Sequence, residues 1–496
     1  MTYQTLLSLF SFLPSFRLAL IFVVVFLAVN LILERIRFQN LPPGPWSLPL
    51  LGAYLHLGSD PTSFLLKNRQ KYGKIFSLYL GSRLTVVITD PELAREAYSK
   101  KGEITGARDI STLNWLDVSG SVVYMSGSDI KPLRRLVQRS LRDFVLGKKG
   151  AETIMVKEAE HLCHFLEESI EKNKVLDPRL GIQKASINIM YAFCFGQRFD
   201  YASPEMNKVA LGLSAVSHIS CVSITREIPF LFVAPRFKDF RRGGLAYRQA
   251  MHNMVAQHVA TLDSCHSRDL TDKLIQATSK DDSQFSFGSD RIFRTLMDLL
   301  GAGADTTSST LQFAIWNMAA NPTVQEKVHS EILEVVDNDR TPEWADRHRL
   351  PYTCAVINET LRHMHPVPLG LFHRATQTFE LGGYTIPEGA ELLAPIACMN
   401  MDPEAWPDPE EFKPERFLSP DGKTVVLPDK FMPFSTGSRM CIGEGLARME
   451  MFVFFTTMMQ RFTFDLPSEA LQSCEPETGF FFRYPSQMQI CASKNS

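Results

Sequence analysis

The stretch FMPFSTGSRMCIG, residues 431–443, decides the fold of this chain. A proline, two glycines and three hydroxyl residues surround a single cysteine, Cys441. Residues of these types favour turns over regular structure, so the segment is predicted to stay irregular until it has passed the cysteine. A helix is predicted to begin after it. A lone cysteine held in such a loop points to a specific chemical use.

The spacing of the other cysteines excludes several cofactors. A zinc site or an iron–sulfur cluster needs several close ligands, and the cysteines nearest to Cys441 are Cys398 and Cys474. A c-type haem needs the sequence CxxCH, which is absent. A nucleophilic cysteine would need a basic partner, which only geometry can test. Axial ligation of a haem iron needs one lone thiolate, and this pattern supplies it.

The other residues of the loop suit a haem. Gly437 and Gly443 would let the backbone approach a flat macrocycle. Arg439 could pair with a haem propionate. The helix after Cys441 would point its positive end toward the thiolate, and nearby backbone amides could donate to the sulfur. The loop therefore favours a haem-thiolate site.

Composition limits the class of protein. The chain has 496 residues, of which 45% are hydrophobic and 21% are charged, so it is predicted to be globular. A net charge of −2 argues against a general nucleic-acid binder. The nine cysteines form no CxxC pair and have no regular spacing. That pattern disfavours a secreted disulfide framework and indicates a reducing compartment.

The amino terminus predicts a membrane anchor. Residues 18–33, LALIFVVVFLAVNLIL, carry no charge and fall slightly short of the ~20 residues of a usual bilayer span. The basic residues Arg35 and Arg37 follow the span and favour a cytosolic body. A cleaved signal peptide is the alternative, which the lack of an A-x-A-like site disfavours. We therefore expect an anchor over residues 1–38.

A hinge and one large body are predicted to follow the anchor. The prolines of LPPGPWSLPLLG, residues 41–52, fix backbone angles and remove donors, so residues 39–52 are predicted to form a stiff hinge. In the body, residues 53–496, the run KIFSLYLGSRLTVVITD at 74–90 has the pattern of β-strands. Helical patterns dominate from there to residue 362, and the tail is mixed. The fold class is mainly α with a small β region.

One long helix is expected to carry polar groups at its centre. It is predicted to start at Ser289 or Asp290 and to stop before Pro322. Its middle, LLGAGADTTSST, holds two glycines, each of which costs roughly 1 kcal/mol relative to alanine. We expect a bend there that exposes Asp305 and Thr306. A tolerated glycine pair in a core helix is the alternative.

Two further motifs place charged residues where they could pair. Glu359 and Arg362 are three residues apart, on one face of a helix. Arg416 lies in PERF, residues 414–417, among prolines and aromatic residues. A buried carboxylate would be its natural partner.

Four of these motifs together resemble the signatures of the cytochrome P450 superfamily. FSTGSRMCIG (434–443) is similar to its cysteine loop, AGADTT (302–307) to its oxygen-activation motif, and ETLR (359–362) and PERF to two structural motifs. They occur in the family's order, and the anchor and hinge match as well. PPGPWSLPLLG (42–52), LRRLVQRSLRDF (133–144) and RHRLPYTCAVINETLR (347–362) look most like the microsomal animal branch that includes family 2.

This resemblance implies the triangular haem-thiolate fold and a monooxygenase of the endoplasmic reticulum membrane, with its catalytic body on the cytosolic face. It implies haem b with Cys441 as the axial ligand. Electrons would come from NADPH–cytochrome reductase, with cytochrome b5 as a second candidate donor. The resemblance carries the following residues over: Asp305 and Thr306 for proton delivery to oxygen; Arg134, His373 and Arg439 at the propionates; Phe434, Gly437 and Gly443 in the cysteine loop; and Glu359, Arg362 and Arg416 as a structural triad.

The chain departs from the family pattern at one position. The family usually has tryptophan four residues before the arginine that corresponds to Arg134, and this chain has Ile130. Pro132 is also unusual, and it is tolerable in a first helical turn capped by Asp129.

The segment LRRLVQRSLRDFVLGKK (133–149) is rich in Arg and Lys. Part of it is predicted to form a basic face for an acidic reductase.

Substrate identity is set by regions that the resemblance places at 110–123, 214–232, 296–304, 367–372 and 479–482. They are rich in apolar residues, so we expect a lipophilic small molecule such as a steroid, a fatty acid or a foreign compound. Two rival functions stay open: a haem-thiolate isomerase or dehydratase that rearranges a peroxide, and a non-catalytic haem-binding protein. The Asp305–Thr306 pair disfavours both, and Ile130 keeps the second open.

Overall fold

A computed structural model describes most of the chain beyond the predicted anchor. The described residues are 40–48, 51–58, 60–108, 120–127, 130–146, 150–172, 175–217, 233–263, 266–279, 289–336, 340–467, 476–478, 482–485 and 488–495, together with 21 and 25. Apart from those last two residues, the predicted anchor lies outside this set. Among the helices that the structure describes, none is both long and apolar enough to cross a bilayer.

Helices account for most of the described residues. They are α1 (Tyr54–Leu57), α2 (Pro61–Tyr72), α3 (Pro91–Arg95), α4 (Gly102–Thr105), α5 (Ile130–Leu146), α6 (Ala151–Lys172), α7 (Arg179–Phe195), α8 (Pro204–Ser217), α9 (Lys238–Ala260), α10 (Leu270–Ser279), α11 (Ser289–Ala320), α12 (Pro322–Val336), α13 (Pro351–His363), α14 (Ile396–Asn400) and α15 (Glu444–Arg461). The ends follow local chemistry: α3, for example, starts where the Asp90 side chain accepts from the Glu92 and Leu93 amides.

The strands are short and form one small sheet and three pairs. They are β1 (Ile75–Leu80), β2 (Arg83–Ile88), β3 (His373–Arg374), β4 (Phe379–Leu381), β5 (Tyr384–Ile386), β6 (Glu391–Leu393), β7 (Phe462–Asp465), β8 (Pro476–Thr478), β9 (Arg483–Pro485) and β10 (Cys491–Lys494). The sheet has the order β1-β2-β6-β3, and the pairs are β4–β5, β8–β9 and β10–β7. The β1–β2 hairpin confirms the strands predicted at 74–90. The mainly helical class with a small β region is confirmed.

The long helix α11 begins and ends where the sequence predicts. It runs without interruption through its glycines, and Asp305 is only 3% exposed. The prediction that this stretch exposes its polar groups is therefore wrong for Asp305. A Cβ on Gly303 would lie 2.4 Å from the Met190 sulfur of α7, so any larger residue there would force the Met190 side chain to move.

The largest hydrophobic core gathers side chains from α5 to α13 and from α15. Helix α15 is buried along most of its length, with Phe452, Phe454 and Phe455 at most 1% exposed. Burial on all sides explains why its sequence is apolar without a helical stripe. The cysteines that the structure describes are all free thiols. The core thus fixes α11 and α15, which both line the cavity described next.

Candidate active site

A cavity of about 400 Å³ lies inside the helical body. It is lined by the centre of α11, the loop around Cys441, the start of α15, residues 122–124 and residues 365–373. Its wall is mostly apolar, and its polar groups come from a few side chains. A mostly apolar cavity with a few convergent polar groups is the usual form of a small-molecule site.

Cys441 faces this cavity from the end of the irregular loop. Its amide donates to the Phe434 carbonyl at 2.9 Å, and its side chain is exposed because it borders the cavity. Burial inside the protein raises the pKa of the Cys441 thiol, while hydrogen bonds from the Gly443 and Glu444 amides oppose that rise. The predicted arrangement, with helix-start amides directed at the sulfur, is present.

Two glycines of the loop serve different purposes. Gly443 lines the cavity, and a Cβ there would meet no atom within 4 Å. Gly437 has φ of +80° and does not line the cavity, and its Cβ would lie 1.9 Å from the Tyr98 carbonyl oxygen. Contact of Gly437 with a cofactor stays a prediction. The loop needs glycine there to pack on the backbone at Tyr98 and Ser99.

Three arginines and one histidine meet at one edge of the cavity. Arg439 is 7% exposed. Its Nε donates to the Gly106 carbonyl at 2.7 Å and its Nη2 to the Met125 carbonyl, and its Nη1 has no protein partner. Arg134 Nη2 donates to the Met440 carbonyl at 2.6 Å. Arg108, a residue that sequence reasoning missed, has a buried Nε without a protein partner.

The electrostatics of this edge favour an anion. Burial and the neighbouring arginines lower the pKa of Arg439 to about 9, and burial lowers that of Arg108 to about 10. His373 is stacked on Tyr98, and its Nδ1 donates to the Thr105 carbonyl at 3.1 Å. Burial and the two arginines keep the His373 pKa well below its usual value, so the ring is neutral. Like charges held together in a desolvated site call for a negative ligand.

Asp305 and Thr306 leave α11 in different directions. The Thr306 hydroxyl lines the cavity and donates to the Ala302 carbonyl at 2.7 Å. Asp305 also borders the cavity, but its Oδ1 lies 3.5 Å from Gln183 Nε2 on α7. Successive helical residues differ by about 100° in direction, so neighbours in sequence do not share one face.

Glu359, Arg362 and Arg416 come together as predicted. Arg362 binds Glu359 through two hydrogen bonds of 2.7 and 2.8 Å, and neither side chain is exposed. Arg416 Nε lies 3.5 Å from the same carboxylate. Arg362 also donates to the carbonyls of Asn400 and Glu411. The triad therefore ties α13 to the long segment that leads to the cysteine loop.

Comparison with known proteins gives this geometry a family. The family model described as Cytochrome P450 matches residues 42–492. Cytochrome P450 2A10 of Oryctolagus cuniculus is 33% identical over 87% of this chain and 88% of its own length. Cytochrome P450 2D3 of Rattus norvegicus is 35% identical over 96% of this chain and 97% of its own length. Cytochrome P450 2J2 of Homo sapiens is 32% identical over 96% of this chain and 96% of its own length.

The chain is a cytochrome P450. These relatives carry family 2 names, which confirms the branch that the sequence predicts. A cytochrome P450 is a haem-thiolate monooxygenase that carries haem b with a cysteine thiolate as the axial ligand. The class of enzyme and its cofactor, both expected from the motifs, are thereby confirmed.

The residues of this cytochrome P450 fit haem b. Haem carries two propionates, and the cavity edge offers the unpartnered nitrogens of Arg439 and Arg108 together with Arg134. Of the cysteines that the structure describes, Cys441 is the one that borders the cavity. A flat ligand also needs the open space at Gly443. Arg108 escaped sequence reasoning because it lies outside any motif, and only the fold brings it to the cysteine loop.

Ile130, which stands where the family usually has tryptophan, packs in the hydrophobic core. Ile130 begins α5 with 8% exposure and does not line the cavity. Pro132 lies in the first turn of α5, as expected, and Asp129 falls outside the described residues.

The cavity wall includes Val122, Val123 and Phe482 from regions expected to contact substrate, besides parts of 296–304 and 367–372. Most of the region at 214–232 lies outside the described part of the chain.

Proposed function

We propose that this cytochrome P450 inserts one oxygen atom of dioxygen into a lipophilic small molecule, with electrons passed from NADPH by cytochrome reductase. One observation supports the proposal above all. A single mostly apolar cavity is bordered by a thiol with helix-start amides, by a cluster of unpaired arginine nitrogens and by a threonine hydroxyl. Cofactor, proton source and substrate could meet there. The apolar wall favours a substrate such as a steroid, a fatty acid or a foreign compound.

In this proposal the chain holds haem at two points. Cys441 supplies the axial thiolate, and the Gly443 and Glu444 amides stabilise its negative charge. Arg439, Arg134 and Arg108 bind the propionates, for which bidentate guanidinium groups are well suited. His373 shapes the same edge through its stack on Tyr98. Phe434 anchors the loop, since its carbonyl accepts the Cys441 amide.

The triad has a structural role in this proposal. Glu359 accepts from Arg362 and from the Lys413 amide at 2.8 Å, and Arg416 donates to the Pro407 and Asp408 carbonyls. These bonds hold the segment before the cysteine loop in place, so they position Cys441 without touching the cavity.

Bound haem supplies the reductive activation of dioxygen and the oxygen transfer, and the chain supplies the protons. The Thr306 hydroxyl uses its proton on the Ala302 carbonyl, which leaves its oxygen to accept a hydrogen bond from a water in the cavity. Asp305 lies one residue earlier and can carry protons to that water when it turns from its buried position. Thr306 thus holds the water, and Asp305 replaces the proton that the water gives up.

Electron supply is assigned to α5. Lys131, Arg135, Arg139 and Arg142 are all exposed and recur at helical spacing, so they form one basic face. Arg134 of the same helix turns inward to the Met440 carbonyl, next to Cys441. Arg135 of this basic face follows directly on Arg134, which lines the cavity. The face therefore favours docking of an acidic electron donor close to the cavity, either the reductase or cytochrome b5.

Location follows from the amino terminus in the same proposal. Residues 1–38 anchor the chain in the endoplasmic reticulum membrane, residues 39–52 form a stiff hinge, and residues 53–496 are the catalytic body on the cytosolic side. Pro42 and Pro43 lie against β1, because the side chain and amide of Ser77 donate to their carbonyls at 2.7 and 2.8 Å. A hinge fixed to the sheet would hold the body at a set angle to the anchor.

The proposal is tested at Cys441, the predicted ligand of the haem iron. The reduced protein with carbon monoxide should give the red-shifted Soret band of a thiolate-ligated haem, and Cys441→His should abolish that band and NADPH-dependent oxygen consumption. Cys491→Ser, which changes a free cysteine away from the cavity, should leave both unchanged. If Cys441→His keeps the band, Cys441 is not the ligand.

A further inference from the structure

The polar seam between α7, α8 and α11 holds a group that the proposed function does not use. Gln183 of α7 is half-buried, and its Nε2 lies 3.0 Å from Ser214 Oγ of α8 and 3.5 Å from Asp305 Oδ1 of α11. Ser214 Oγ also lies 3.4 Å from Gln183 Oε1. One amide side chain thus links three helices, and one of its partners is the carboxylate beside Thr306.

The helical geometry explains why Asp305 needs a partner here. Thr306 faces the cavity, so Asp305, which is rotated by about 100° around α11, is directed at α7 and α8. The carboxylate is 3% exposed, and a buried carboxylate is costly unless donors reach it. Gln183 supplies an N–H from the neighbouring helix. The same Nε2 also donates to Ser214 Oγ at 3.0 Å, and the Gln183 oxygen lies 3.4 Å from that hydroxyl, so Ser214 holds the amide beside Asp305.

Other titratable groups face the same region. Tyr247 of α9 and Tyr191 and Cys194 of α7 have their pKa values raised by burial, so they stay neutral near pH 7. Asp298, two turns before Asp305 on α11, is different. Burial raises the pKa of Asp298 to about 7. Burial also raises the pKa of Glu450 of α15, on the cavity wall, to about 8. A pH test of Asp305 must therefore separate it from both carboxyl groups.

We propose that Gln183 is a positioning residue for Asp305: it holds the carboxylate in the seam, ionised and turned from Thr306, and Ser214 holds Gln183 in place. The inference rests on the proposed role of Asp305 in proton delivery and adds the residue that governs it. An N–H that donates to a carboxylate favours the ionised form. Loss of Gln183 therefore lets Asp305 take up a proton at higher pH and leave the seam more readily.

The test compares Gln183→Met, which keeps length and removes the hydrogen bonds, with Asp305→Asn and the double variant. Each protein is reconstituted with reductase, and NADPH oxidation and hydrogen peroxide release are followed from about pH 5.5 to about pH 9, with dioxygen as the only co-reactant. Gln183→Met should move the acid limb upward by about one pH unit. In the Asp305→Asn background the same change should have no further effect.

A second measurement does not depend on activity. A donor to the Asp305 carboxylate stabilises the fold only while that carboxylate is ionised, so the stability that Gln183 supplies is lost as the pH falls through the range in which Asp305 takes up its proton. The difference in unfolding temperature between the native chain and Gln183→Met should therefore shrink as the pH is lowered from 7 through that range. In the Asp305→Asn background that difference should not change with pH. Ser214→Ala, which only loosens Gln183, should give smaller changes of the same sign and serves if Gln183→Met does not fold.

The outcomes separate this inference from the proposed function. If Asp305→Asn leaves the pH profile unchanged, Asp305 has no role in proton delivery, and the role of Gln183 falls with it, while oxygen insertion at the Cys441 site stays to be judged by the carbon monoxide band and the Cys441→His variant. If Asp305→Asn alters the profile but Gln183→Met and Ser214→Ala do not, only the role of Gln183 is overturned. An effect of Gln183→Met that persists in the Asp305→Asn background would come from another titrating group, such as Asp298 or Glu450, and would also overturn the role.

Discussion

Gly437 shows how one residue can fix the cysteine loop without touching the cavity. Alanine there would combine a left-handed backbone, which costs roughly 1–2 kcal/mol, with a Cβ placed 1.9 Å from the Tyr98 carbonyl oxygen. Gly437→Ala should therefore destabilise the protein by about 3 kcal/mol or more and weaken the carbon monoxide band by displacing Cys441. Denaturant unfolding and the difference spectrum measure the two effects.

Gly422 offers a matched control for that change. It also has a positive φ, of +70°, but a Cβ there would meet nothing within 4 Å. Gly422→Ala should cost only the backbone strain, roughly 1–2 kcal/mol, and leave the spectrum intact. Equal losses in the two variants would show that contact with Tyr98 is unimportant.

At the residue scale, local motifs were predictable and side-chain directions were not. Cys441 follows from one short stretch, because its lack of nearby cysteines excludes other metal sites. Arg108 could not be predicted, since its position beside Arg439 depends on how α4 packs against the cysteine loop. The burial of Asp305 depends on Gln183, which lies over 100 residues earlier in the chain. The sequence alone does not show that pairing.

The Glu359–Arg362 pair is an element-scale feature, because it fastens α13 to another segment. Both side chains are fully buried, and breaking a buried pair from one side leaves an uncompensated charge, which costs roughly 3–5 kcal/mol. Glu359→Gln should therefore lower the stability by about that amount and reduce the haem content of the purified protein. Glu168→Gln, which breaks the exposed Lys172 pair at 3.9 Å, should cost less than about 0.5 kcal/mol. Comparable losses would contradict the structural role.

The basic face of α5 gives a second prediction at this scale. The double variant Arg135→Glu/Arg139→Glu should slow NADPH-driven turnover through the reductase, more at low salt than at high salt, because exposed charges are screened over ~10 Å at 0.1 M. Lys157→Glu/Lys172→Glu makes the same change in net charge at exposed sites of α6 and should have little effect. An equal fall in peroxide-supported turnover, which needs no reductase, would instead point to damage at the haem site.

Element boundaries followed from the sequence where local signals were strong. Helix α11 starts at Ser289 and ends just before the Asn-Pro step, as its cap and its proline predict. The β1–β2 hairpin is equally local. The parallel pairing of β2 with β6 joins residues about 300 apart, and no periodicity in either strand indicates the other. The same holds for the packing of Gly303 on the Met190 side chain, which joins residues over 100 positions apart.

At the scale of the whole molecule, membrane contact is predicted to extend beyond the anchor. The apolar segment IPFLFVAP, residues 228–235, lies mostly outside the described residues, and Val233 within it is 77% exposed. A chain lacking residues 1–38 should still bind lipid vesicles weakly, and Phe230→Glu/Phe232→Glu should release it. Phe230→Leu/Phe232→Leu should retain binding. If the glutamate variant sediments with vesicles as before, this segment does not contact the bilayer.

The arginine cluster at the cavity edge also bears on the life of the protein in a cell. Before haem arrives, a newly made chain must hold Arg108, Arg134 and Arg439 close together with one nitrogen each of Arg108 and Arg439 unpaired, so its folded state is at its weakest. Ligand binding stabilises the native state by mass action, and unfilled chains are the ones that proteases remove. Haem supply, as much as gene expression, should therefore set how much of this enzyme accumulates.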